Sequence, residues 1–466
     1  MRVARRTALV SFRNPQGQSG GFFGRMTRFF QWSMVVAVVG WVSGGAAPTQ
    51  AAVAITPVTT PAGLEVWLAE DDRSPVIAVS FAFAGGAGLD PPDKVGVSRL
   101  AMELLEEGAG ERDAQAFKAA LKDQGIRLGF AADADFLGGA LVTLPESLDA
   151  AVALTADALL RPRLQESDLE RRRAAALAAE RQQAGDPGAV ANRTFRALVY
   201  PDHPYGRDEN GDAAGLAAVS RADVQARLVQ GLRRDRLLIS AAGAITPERL
   251  AQVVDRMFAS LPLSDTATAS AALPPAEPGN AGERRVENRP TAQSLVVMGH
   301  AGPTRDHPDW FALTLLNQIL GGSSFTSRLG TEIRDRRGLS YGVYSRLEAR
   351  QAGGLWVVSG ATANANASTM EGLIRTIWNE VAENGVTEDE LADAKTFLTG
   401  SFPLRFTATP AISDLLLQMR KDRLGRDYLE QREAAIMAVT REAVRRVART
   451  WLKADSFRTV IVGQPQ

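Results

Sequence analysis

One pattern occurs twice in this chain, and it limits the folds the chain can adopt. SLDAAVALTADALL (147–160) is followed by RPRLQESDLERRRAAAL, and STMEGLIRTIWNEVAENG (368–385) is followed by VTEDELADAKTFL. The second example spaces Met370, Leu373, Ile374, Ile377 and Val381 at helical intervals, which puts them on one face of an amphipathic helix. In each copy a capping box opens the next helix, Ser167 with Glu170 and Thr387 with Glu390, because a hydroxyl at the cap and a carboxylate three residues on satisfy orphan N–H groups reciprocally. A repeated helix, cap and helix indicates internal duplication.

The two copies lie on either side of SDTATASAALPPAEPGNAG (264–282), which has almost no large apolar side chain and reads as a linker. This divides the chain into a leader (1–51), a first domain (52–263), a linker (264–283) and a second domain (284–466). VIAVSFAFAGG (76–86), SLVVMGHAG (294–302), GGLWVVSGATA (353–363) and FRTVIVG (457–463) read as strands. Strands mixed with helix pairs predict α+β layers, with helices on a mainly antiparallel sheet. The length of 466 residues accommodates four such units.

Residues 1–51 hold six arginines and neither lysine nor acid. Arg25 and Arg28 precede the apolar run Met34–Val42, and small residues with APTQA follow, ending at Ala51. Basic flank, short apolar core and small-residue cleavage site describe a secretory signal, whose start codon could equally be Met26. The apolar run is shorter than the roughly 20 residues that span a bilayer, so an integral membrane protein is not expected, and export to a bacterial periplasm is. The rest of the chain carries 47 basic and 53 acidic groups. A mildly acidic body without a basic stripe argues against nucleic acid as a partner. Cysteine is absent, which excludes disulfides, thiolate metal sites and cysteine catalysis.

Chemistry has few places to reside. The chain has three histidines, His203, His300 and His307, and none has a partner at the i, i+4 spacing that aims two ligands at one ion. His203 reads as a turn residue before proline, and His300 and His307 flank an apparent loop. GGSSFTSRLG (321–330) lacks the ending of a phosphate loop, GGAGLD (85–90) lacks a dinucleotide fingerprint, and no G-x-S-x-G elbow occurs. GVSRLAMELLEEGAG (96–110) reads as a short amphipathic helix running to glycine. RDRRGLSY (334–341) places Arg334 in a last helical turn, Gly338 at its end and Tyr341 on a following strand. Arg334, Arg336 and Arg337 could simply complement a helix C-terminus, with Tyr341 half-buried. Arg334 and Tyr341 could also act as two donors on a substrate carbonyl or oxyanion.

FAFAGGAGLDPPDKVGVSRLAMELLEEGAG, YPDHPYG (200–206) and RDRRGLSYGVYS (334–345) together resemble the inverzincin peptidases, the family of pitrilysin, insulin-degrading enzyme and the mitochondrial processing peptidases. That resemblance implies two homologous domains, each of duplicated α+β units, enclosing a chamber between the N- and C-terminal halves. It also places Arg99, Met102 and Glu103 where the family has the His, Glu and His of its zinc motif. The third ligand falls near Ala178-Ala179-Glu180. Arg99 cannot bind a cation and Met102 cannot move a proton, so no metal of its own and no independent catalysis are expected. Arg99 and Glu103 are i, i+4 neighbours able to pair in the old site, contributing a few tenths of a kcal/mol.

By the same resemblance Arg334 and Tyr341 are the arginine and tyrosine with which the family's C-terminal domain contacts substrate. The implied role is the noncatalytic subunit of a heterodimeric zinc metalloendopeptidase. The zinc would sit in a His-x-x-Glu-His partner, and unfolded peptide would be the substrate. The alternative is a peptide-binding or scaffold protein with no peptidase partner. An enzyme active alone would need metal-site chemistry that these residues do not supply.

Overall fold

The computed structural model describes residues 54–264, 272–279, 281–323 and 325–466. The leader and residues 265–271 and 280 of the linker lie outside the described residues. The first half begins with strands β1 (Thr56–Thr59), β2 (Glu65–Glu70) and β3 (Ile77–Ala84), then helix α1 (Val97–Leu104) and a short hairpin of β4 (Gly108–Ala109) and β5 (Arg112–Asp113). It continues through α2 (Ala114–Asp123), β6 (Arg127–Ala132), β7 (Phe136–Thr143), α3 (Leu148–Leu160), α4 (Glu166–Ala184) and α5 (Pro187–Val199). Helices α6 (Ala213–Ala218) and α7 (Arg221–Gly231), strand β8 (Leu237–Gly243) and helix α8 (Pro247–Phe258) complete it.

The second half holds β9 (Arg284–Asn288), β10 (Gln293–Gly302) and α9 (Trp310–Asn317), then two π-helical segments, Gln318–Gly322 and Gly330–Arg336. Strands β11 (Val343–Ala349) and β12 (Gly354–Ala363) and helices α10 (Ala367–Asn384) and α11 (Glu388–Gly400) follow. The chain ends with α12 (Thr409–Lys421), α13 (Tyr428–Ala438), α14 (Arg441–Trp451) and β13 (Arg458–Gly463).

The duplication is visible in the strand order. The first sheet runs β1-β2-β8-β3-β7-β6 and the second β9-β13-β10-β12-β11. Without β1, each sheet takes the strands of its half in the same sequence: first, last, second, fourth, third. In both, the first and last strands pair in parallel, β2 with β8 and β9 with β13, and the other pairings are antiparallel. The expected α+β architecture of two homologous halves is therefore present. The expected number of units is corrected: each half contributes one sheet, so the described residues hold two units, not four.

The central strands are buried on both faces, which is why β3 and β13 read as nearly continuous apolar runs. In β3, Val79, Phe81 and Phe83 face the helices of their own half, whereas Ser80 and Ala82 face α12 from the other half. Trp67, Ala69 and Ala242 pack against Ile412, Leu416 and Met419 of that helix. The second half receives the same treatment. Val297, Val357, Val460 and Val462 bury Val190, Ala191, Phe195 and Leu198 of α5. Gly299 permits this approach, since a Cβ there would sit 2.5 Å from the Phe195 ring. Each half thus lends a helix to the back of the other's sheet. Exchanged side chains fill the faces that meet along this seam.

The end of the linker belongs to this seam. Ala276 is buried and donates its N–H to Ala352 O at 2.7 Å, and Gly279 donates to Val199 O at 2.7 Å. The capping boxes divide. Thr387 Oγ accepts from Glu390 N at 3.2 Å while Glu390 Oε2 accepts from Thr387 N at 2.8 Å. The Ser167–Glu170 box is absent. Helix α4 starts earlier, at Glu166, with Gln165 as cap and no side-chain cap bond. Leu164, buried with φ of 46°, turns the chain there and fixes the start by core packing.

Candidate functional site

Helix α1 is held from below by a buried polar cluster. Asp90 accepts from the N–H groups of Gly96 at 3.0 Å and Ser98 at 3.2 Å, and it also pairs with the Ser98 hydroxyl. A carboxylate at a helix N-terminus satisfies orphan donors and complements the dipole. Gly96, at φ 101°, makes the turn possible. Arg227 donates to Ser98 Oγ at 2.7 Å and to the carbonyls of Gly85 and Gly86 at 2.6 and 2.9 Å. Burial pushes the Asp90 carboxyl above its ordinary range, opposed by Ser98 and Arg227.

On this helix Arg99 Nε meets Glu103 Oε1 at 2.9 Å, the i, i+4 pair expected from the sequence, and Arg99 Nη1 donates to Asn210 O at 3.2 Å. Met102 is fully buried in the first-half core. Arg172 of α4 reaches Glu103 at 3.9 Å and Glu107 at 2.5 Å, and Lys118 holds Glu107 at 2.8 Å. Burial raises the Glu107 carboxyl, but Lys118, Arg172 and Arg171 outweigh it and hold it below its ordinary value. Glu180 pairs with Arg193 of α5 at 3.2 Å. Ala178 is exposed and Ala179 half-buried.

These residues do not fit a zinc ion. Arg99 offers no lone pair, Met102 is sealed in the core, and Glu103 and Glu180 are engaged by arginines. Among the described residues no three His, Asp or Glu side chains are grouped so as to hold a metal. The histidines have structural partners. His203 Nδ1 accepts from Tyr205 N at 3.1 Å and its Nε2 contacts Pro274 O at 2.9 Å. His300 lies in β10 among Trp356, Trp378 and Phe457, and burial lowers its pKa to about 4. His307 packs edge-on against Trp451 and accepts from Asp309 N at 3.1 Å.

In the second half, Arg334 lies in the π-helical segment Gly330–Arg336. Gly338, at φ 62°, ends it, donating to Arg334 O at 3.0 Å, while Leu339 donates to Ile333 O at 2.9 Å. Tyr341 is not on the following strand. It sits in the loop before Val343, where Ser340 Oγ bonds to the carbonyls of Gly342 and Ala361 and delays the ladder. Tyr341 is 84% exposed rather than half-buried. Arg336 and Arg337 both pair with Glu332, leaving Arg334 outside that cluster.

The sequence reading passed over Phe325. Its ring, 69% exposed, lies over the Arg334 guanidinium at 4.1 Å. An aromatic residue inside the glycine- and serine-rich GGSSFTSRLG was the available signal.

The model of the insulinase family, peptidase family M16, matches residues 65–207, and that of the peptidase M16 inactive domain matches residues 218–398. The chain belongs to peptidase family M16. It is 25% identical over 340 residues to the non-peptidase homolog YmxG of Helicobacter pylori, covering 72% of this chain and 77% of that protein. An uncharacterized zinc protease of Mycobacterium bovis is 29% identical over 315 residues, covering 66% and 70%. The crystal structure of a peptidase M16 inactive domain from Pseudomonas fluorescens superposes with a TM-score of 0.82 at 28% identity, covering 88% of this chain and 98% of that one.

Proposed function

We propose that this protein is the noncatalytic subunit of a heterodimeric zinc metalloendopeptidase, exported to the periplasm. The partner supplies the His-x-x-Glu-His helix and the zinc. This chain supplies Arg334 and Tyr341 to the partner's site and one wall of a chamber for unfolded peptides. The observation that carries this reading is the contrast between the halves. The first keeps the M16 helix with its metal positions filled by the Arg99–Glu103 pair and buried Met102. The second presents Arg334 in the π-helical segment and an exposed Tyr341 in the loop that follows it.

The test is affinity purification of the tagged chain with mass spectrometry and zinc analysis of what accompanies it. A stoichiometric His-x-x-Glu-His homologue bringing zinc and peptide hydrolysis is the expected result. Recovery of the chain alone, metal-free and inert, overturns it in favour of a peptide-binding or scaffold role.

A further inference from the structure

Phe325, between the two π-helical segments, is flanked by anchored backbone on both sides. Gly321, where the first segment kinks, packs so closely on β11 that a Cβ would lie 2.6 Å from Ser345 N. At the other end Ser327 Oγ accepts from Gly330 N at 3.2 Å. Arg328 forks onto Glu390 at 2.6 and 2.8 Å and donates to Gly385 O at 3.2 Å. Glu390 is itself fixed by its capping box. A loop tied at both ends presents Phe325 outward over Arg334, whose contact with Asp335 is long, at 3.9 Å.

An apolar ring left largely in water gains nothing from core burial, so its contact with the cation is what this placement provides. A guanidinium is planar: its face takes the ring, and its N–H fork stays free at the edge. Widened π turns of this kind recur at functional sites.

We propose that Phe325 is a positioning residue for Arg334. By covering one face of the guanidinium it fixes the plane in which Arg334 presents its N–H groups to a peptide carbonyl. This rests on the reading of Arg334 as an active-site-completing residue, and the experiment separates the two.

In the purified complex with its His-x-x-Glu-His partner, hydrolysis of a quenched fluorescent peptide is compared for Phe325→Leu, Phe325→Trp, Arg334→Ala and the double variant Phe325→Leu/Arg334→Ala. Phe325→Leu should lower kcat/KM about tenfold, the effect of losing one cation–π contact. Phe325→Trp should retain turnover, and Phe325→Leu should add nothing in the Arg334→Ala background. A full additional loss in the double variant, or unchanged turnover in Phe325→Leu while Arg334→Ala is impaired, overturns the positioning role alone. Unchanged turnover in Arg334→Ala overturns the underlying reading of Arg334, and the proposal with it. In the isolated full-length chain, the Arg334 Nε–H resonance should carry a ring-current shift that Phe325→Leu abolishes. Absence of that shift also overturns the proposal.

Discussion

Ser80, on the first half's sheet, and Ser413, on a helix from the second half, hydrogen-bond hydroxyl to hydroxyl at 2.9 Å. Both are buried, and Ser240 Oγ closes the cluster by donating to Ser413 O at 2.7 Å. Three small polar side chains let a helix lie close against a sheet while satisfying one another. Buried hydroxyls without partners would be costly. The contact marks the exchange that joins the halves.

The first prediction concerns cooperativity. Because α5 and α12 each cover the other half's sheet, residues 54–264 and 272–466 expressed separately should each expose an apolar face and aggregate or bind a hydrophobic dye. Co-expressed, they should form a soluble complex. The intact chain should unfold in one calorimetric transition. Two independent transitions, or two soluble halves that ignore each other, would contradict the exchange as the source of stability.

Asp414 sits beside this seam, accepting from Ser80 Oγ at 2.6 Å, and burial raises its pKa to about 6, with Ser80 and Lys421 opposing. A carboxyl that holds its proton more tightly when folded stabilises the fold fully below its unfolded value near 3.9, and that contribution is lost as pH rises through about 6. Asp414→Asn keeps the acceptor and removes the ionisation. Stability from urea unfolding should match the parent near pH 4 and exceed it at pH 8, by on the order of 1–3 kcal/mol. An Asn variant no more stable than the parent at pH 8 refutes the assignment.

The two capping sequences should behave differently. Thr387→Ala removes an observed cap and should cost about 1 kcal/mol. Ser167→Ala lies on an exposed first turn with no cap bond and should stay within about 0.5 kcal/mol of the parent. Equal losses in thermal or urea unfolding would mean that α4 starts where its sequence suggests.

Where a feature depends on neighbours in sequence, it was legible. The β10 and β12 runs, the stripe from Met370 to Val381 and the Arg99–Glu103 pair all follow from local periodicity. Features that depend on which surfaces meet were not. The pattern of PGAVANRTFRALV gives an amphipathic helix, but nothing in it says that Phe195 will cover Gly299 of the other half. Ser167 and Glu170 have the right spacing for a cap, yet the burial of Leu164 fixes the helix start. Tyr341 has strand-like neighbours, but Ser340 takes the Ala361 carbonyl and leaves it in a loop. Phe325 is a lone aromatic in a polar run, and its meaning appears only with Arg334 beneath it.

The last prediction separates Arg99 and Met102, which share helix α1 but not its surroundings. Arg99 and Glu103 are both partly exposed, with side chains 20% and 24% accessible, and the arginine precedes the acid, the weaker order on a helix. Arg99→Ala should therefore cost less than about 1 kcal/mol, since Arg172 still faces Glu103. Met102 has no such freedom. Met102→Glu would put a carboxyl into a fully buried site packed for a thioether. Either the charge stays unpaired or the group takes up a proton, and both outcomes are costly, so the loss should be about 3 kcal/mol or more. Urea unfolding of the two single variants at pH 7.5 decides the matter. A Met102→Glu protein as stable as Arg99→Ala would mean that position 102 opens onto solvent.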